Sequence, residues 1–146
     1  MGIRHMLVRR WACPVAVALI SVPVAAVANE DLGAATREFQ TYCSPCHASD
    51  GKGRGNLPAQ LKTPPPDLTK LSRRAGGSFP AEQVSAKIEG LDMPAAHGTS
   101  QMPVWSNWFV QEELEGSTDL SDADKAARNT NARITRLVKY LESIQD

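Results

Sequence analysis

Cys43, Cys46 and His47 stand together in YCSPCHASDGKG, residues 42–53, and this stretch carries the strongest chemical signal in the chain. Three chemistries use a Cys-x-x-Cys spacing: thiol–disulfide exchange, zinc ligation and covalent haem attachment. Exchange sites of the thioredoxin type set the pair near a βαβ pattern, and no period-two alternation is present to build strands. A structural zinc takes four ligands. Past the N-terminal 28 residues only the distant His97 could join Cys43, Cys46 and His47, and His47 follows Cys46 too closely for easy joint tetrahedral ligation. Haem attachment gives every residue a task. Two cysteines three apart lie on one side of a helical turn and can add to two vinyl groups, and the next residue, His47, is carried under the iron as proximal ligand. CxxCH is the signature of that attachment.

The rest of the chain must position this turn. Its 146 residues allow one domain, and residues 1–28 have the pattern of a secretory signal. Arg4, Arg9 and Arg10 form the positive start and an apolar run follows; Ala26-Val27-Ala28 offers a cleavage site before Asn29. A retained membrane anchor is the alternative, but the run contains Pro23 and is short of the ~20 apolar residues of a span. Cys13 is expected to leave with the signal. The domain is then residues 29–146, with 13 basic and 16 acidic residues and a net charge of about −3, a balance that argues against nucleic acid. A disulfide between Cys43 and Cys46 would close too small a loop to stabilise much.

Apolar spacing predicts helices over residues 31–46, 80–89 and 121–144, with a short one over 68–74. Asn29 or Asp31 is the expected cap of the first helix and Asp67 of the short one; Gly90 is the expected stop of the third. Ile134, Leu137, Val138, Leu141 and Ile144 form the apolar stripe of the last. Residues 51–66 and 91–108 are expected as loops, the first ending in TPPPD, whose prolines cannot continue a helix. This is an all-α layout, and long loops in a small domain usually wrap something.

In YCSPCHASDGKGRG, LKTPPPDLTKLSRRAGGSFPAEQV, IEG, HGTSQMPVW and RITRLVKYLESIQ the chain resembles the class I c-type cytochromes, most closely a proteobacterial monohaem group. These stretches cover most of residues 29–146, in order. The resemblance implies the cytochrome c fold, in which N- and C-terminal helices cross around one covalent haem c; by position Ala35 and Phe39 would meet Leu137 and Tyr140. Two departures stand out. The family commonly has Gly-Pro where this chain has Gly55-Asn56, with a proline displaced to Pro58, so the carbonyl that orients His47 is not the usual one. Ser106 follows Pro103-Val104-Trp105 where glycine is frequent.

Two methionines compete for the sixth iron position, Met93 and Met102, each followed by proline. Met93 trails the helix over 80–89 by only Gly90-Leu91-Asp92. Met102 has a longer loop before it, with Gly98 and Thr99 for turning, and Trp105 and Trp108 beyond it to exclude water. The resemblance also makes Met102 the ligand, with His97 the fallback. His/Met ligation raises the potential and leaves no place for a small-molecule substrate at the iron. The expected function is therefore a periplasmic single-electron carrier rather than an enzyme, meeting redox protein partners as donor and acceptor and membranes only through their complexes. A fixed haem subunit of a dehydrogenase or oxidase is one rival, and a haem enzyme or gas sensor with an open sixth site is another. Trp105 and Trp108 are open to haem contact or core packing. Arg73 and Arg74 are expected to be solvated surface residues, and the acidic run from Glu112 to Asp124 a solvated linker.

Overall fold

The computed structural model describes residues 24–57, 61, 63–91, 102–117, 119 and 121–146; most of the expected signal, and Met93 and His97, lie outside them. Among the described residues there is no strand. The helices are α1 (Val24–Glu38), running on through a π turn (Phe39–Cys43) into α2 (Ser44–His47), then a 3-10 turn (Leu68–Lys70) joined to α3 (Leu71–Arg74), α4 (Ala81–Glu89), α5 (Trp105–Glu113) and α6 (Ser121–Ser143). None of these is long and apolar enough to cross a membrane. The all-helical class expected from the spacing is what the described residues adopt.

α6 is the wall on which the rest is assembled. Ala126, Thr130, Ile134, Leu137, Val138 and Leu141 recur at three- and four-residue intervals and are all buried, as a helix with one apolar stripe requires. α1, α4 and α5 each pack against it. From α1 and its π turn come Ala35 and Phe39, both fully buried, with the Phe39 ring 5.0 Å from that of Tyr140. α4 contributes Val84 and Ile88, and α5 contributes Phe109.

Local signals end several elements as expected. The Asp67 carboxylate accepts from Thr69 N at 2.9 Å and starts the 3-10 turn. Gly90 closes α4 with φ 79°, where a Cβ would also stand 2.7 Å from Val104 Cγ1. Three expectations are corrected. Asn29 and Asp31 lie inside α1 rather than capping it, because Ala25, Ala26 and Ala28 are strong helix formers and carry the helix through them. Residues 91–108 are not loop to their end: Trp105 begins α5, where the buried Phe109 lies one turn on and Ser106 Oγ donates to Glu89 O at 2.8 Å. The acidic run begins inside α5, so Glu112 and Glu113 belong to a helix and not to a linker.

Phe39→Ala is expected to lower unfolding free energy by about 3–5 kcal/mol, since the ring is fully enclosed; chemical denaturation followed by circular dichroism checks the value.

Candidate functional site

The CxxCH turn sits where α1 has changed its winding. Through Phe39–Cys43 the helix takes the wider π form and returns to α form at Ser44, a local irregularity that often accompanies functional positions. Ser44 Oγ donates to Gln40 O at 2.6 Å across this junction. The turn stops at Ala48, with φ 62° and ψ 161°, a conformation close to glycine-only and strained for alanine. The chain then folds back over α2. Gly53 N donates to His47 O at 2.8 Å, Gly55 N to Cys46 O at 3.1 Å and Leu57 N to Pro45 O at 3.0 Å. Gly53 must be glycine, since a Cβ there would lie 2.2 Å from Pro65 O.

Cys43 and Cys46 are free thiols, each half-buried. The Cys43 thiol is pushed up to about 12, by burial first and then by the Glu38 carboxylate and Cys46. It stays protonated at neutral pH and is a poor nucleophile, the opposite of what thiol exchange needs. Burial pushes the His47 imidazole down, while the Pro66 backbone carbonyl opposes this as an acceptor. His47 Nδ1 is itself buried and falls short of full hydrogen-bond geometry with any partner. Among the described residues no three His, Cys, Asp or Glu side chains gather as a bare-metal site, which leaves the zinc reading without a ligand set there.

Met102 packs against the same apolar cluster as Cys43, together with Tyr42, Leu68, Leu71, Phe79 and Trp105. The structure therefore brings two of the four expected site residues to one core and carries Cys46 and His47 on the adjoining turn. Trp105 stacks on Phe109 at 5.9 Å and meets Tyr42 edge-on at 5.6 Å, which is core packing. Trp108 is 55% exposed and has no such enclosure. Arg73 and Arg74 are exposed, as expected, with Arg74 donating to Asp67 O at 2.6 Å.

A polar cluster behind the motif was not anticipated. Arg133 of α6, with its side chain only 12% exposed, bonds Glu38 at 2.7 Å and Glu112 at 2.9 Å. Its guanidinium lies 4.0 Å from the centre of the Phe109 ring, within cation–π range. Tyr42, the residue before Cys43, donates its hydroxyl to Glu112 at 2.6 Å. One signal could have found the cluster: Arg133 lies in helical register with Thr130 and Leu137, both buried, so it occupies a core-facing position.

Two outcomes follow. Ala48→Gly should raise stability by on the order of 1 kcal/mol, relief of the strained φ outweighing the entropy that glycine adds to the unfolded chain; a urea titration measures it. The second concerns acid. The Tyr42 hydroxyl, more than Arg133, holds the Glu112 carboxyl below its ordinary value against a smaller effect of burial. A depressed carboxyl stabilises the fold at pH values above its unfolded value, and that contribution is lost as pH falls through the folded one. Arg133, Glu38 and Glu113 also face this group. Tyr42→Phe should therefore flatten the loss of stability below about pH 5, read from denaturation midpoints between pH 3 and 7.

Comparison of the chain with protein-family models, with curated proteins and with solved structures returns no match.

Proposed function

We propose that the chain is an exported monohaem c-type cytochrome with the cytochrome c fold, carrying single electrons between protein partners in the periplasm. The observation that carries this reading is the CSPCH turn itself. Its two unpaired thiols lie three residues apart on one helical course, followed at once by a histidine with a buried ring nitrogen in need of an acceptor. Free thiols, a half-buried imidazole and a border of apolar side chains that includes a methionine suit a flat, apolar, iron-bearing group. When bound, haem c supplies a one-electron ferric/ferrous couple.

The chain's own residues do the rest. Cys43 and Cys46 would hold the group as thioethers, so that it would not leave between electron transfers. His47 would supply a ring nitrogen to the iron, its buried Nδ1 wanting an acceptor that would set the ring's donor strength. Met102, packed on the same apolar cluster as Cys43, would supply a soft thioether. A chain that supplied both ligands would leave no place at the iron for a small substrate.

Acid-acetone should leave the haem on the protein, and intact mass should equal the chain from Asn29 plus one haem. Extraction of the haem would overturn the covalent assignment. Met102→Ala should abolish the long-wavelength ferric iron–thioether absorption and admit carbon monoxide to the ferrous iron, while Met93→Ala should do neither. The reverse pattern would move the ligand to Met93, loss in neither variant would point to His97, and ready carbon monoxide binding by the unaltered protein would favour an open-site enzyme or sensor.

A further inference from the structure

The two residues between the cysteines of CSPCH account for the change of winding that precedes it. Ser44 N donates to Phe39 O, five residues back, where an α-helix would send it to Gln40 O. Cys43, at the join, has φ −102°, well off the α-helical value of about −63°, and Ser44 returns to φ −62° and ψ −28°. Gln40 O is thereby left without a main-chain donor. Winding of α form would give it the amide of Ser44 and winding of π form the amide of residue 45, which is proline and has none. The Ser44 hydroxyl fills the gap, donating to Gln40 O at 2.6 Å.

Pro45 also gives the turn a reason to widen. In an α-helix its ring collides with the carbonyl of the residue four back, here Thr41, and one extra residue in the turn carries that carbonyl clear. The extra residue re-aims all that follows. An α-helix advances about 100° per residue, so unbroken winding would bring Cys46, two turns on, into line with the buried Phe39. With one residue added, His47 takes that line instead, and its Nδ1 is buried. The loop after the motif holds α2 at this rotation. Gly55 N and Leu57 N donate to Cys46 O and Pro45 O, and a Cβ at Gly55 would stand 2.3 Å from Pro45 O.

We propose that Pro45 and Ser44 are positioning residues for the CSPCH turn: Pro45 drives the helix into the π turn, Ser44 satisfies the carbonyl that this strands, and the added residue sets the rotation at which the His47 imidazole meets the iron. This role rests on the haem reading. Replacing either residue lets the Ser44 amide return to Gln40 O, which turns α2 and swings the imidazole plane with it.

The test uses the isotope-labelled full-length holoprotein and compares Pro45→Ala and Ser44→Ala with Thr36→Ala. The last removes a hydroxyl bond of the same kind, Thr36 Oγ1 to Leu32 O at 2.8 Å, from the α-wound part of α1. One readout is the coupling across the hydrogen bond of the Ser44 amide in the ferrous protein, which names its acceptor carbonyl. The other is the pattern of haem-methyl hyperfine shifts in the ferric protein, which follows the orientation of the axial ligand planes. Pro45→Ala should move the coupling from the Phe39 carbonyl to that of Gln40 and reorder the methyl shifts, with a smaller change in the same direction for Ser44→Ala. Thr36→Ala should move neither. The positioning role is overturned, while the haem reading stands, if both variants keep the Phe39 coupling and the unaltered shifts, if the coupling moves without the shifts, or if Thr36→Ala acts equally. Should Pro45→Ala not accumulate as holoprotein, Ser44→Ala decides by the same two readouts. Absence of covalent haem from the unaltered protein would instead overturn the reading on which the role rests.

Discussion

The burial of Phe39 against α6 is the contact on which the site depends. Phe39 begins the π turn that delivers Cys43, and its ring is enclosed beside Tyr140 and the stripe of Ile134, Leu137 and Leu141. A helix end is ordinarily free to fray. Here a fully buried aromatic one turn ahead of the first cysteine fixes both the position and the rotation of the CSPCH turn. The wider winding of the π turn changes which direction Cys43 faces relative to α1. On the far side, the bonds from Gly53, Gly55 and Leu57 to the carbonyls of Pro45, Cys46 and His47 close the turn from the loop. The motif is thereby held between a hydrophobic anchor and a backbone clasp.

What could be anticipated from the residues is what local physics decides. The stripe of α6, the cap at Asp67 and the stop at Gly90 are each set by neighbours within a turn, and each takes the expected form. The helical course that carries CSPCH was equally legible, since the apolar spacing of residues 31–46 is local. α5 was hidden because its nine residues have a weakly sided pattern and follow a proline-marked loop. The Arg133 cluster was hidden for another reason. Its partners Glu38 and Glu112 lie 95 and 21 residues away, and no local rule pairs an arginine with carboxylates at such distances. The same holds for Pro65, whose carbonyl comes so close to residue 53 that only glycine fits there.

Arg133 also shows how a charge is tolerated at a core-facing position. Desolvating a guanidinium is costly unless its hydrogen bonds are met and its charge is paired. Two carboxylates supply the bonds, and the faces of Phe109 and Tyr42 supply the remaining contacts. α1, α5 and α6 are joined through one side chain, and Tyr42, the residue before Cys43, shares its partner Glu112.

The separation of α1 and α6 along the chain has a consequence for the thiols. Closing so long a loop carries an entropic cost before the contacts at Phe39 compensate for it. Until α6 docks, Cys43 lacks part of the apolar cluster against which it packs. Once α6 is in place the same thiol is buried and pushed up to about 12. In the folded chain burial thus keeps the Cys43 thiol protonated, and any chemistry that draws on its thiolate is disfavoured once α1 and α6 have closed.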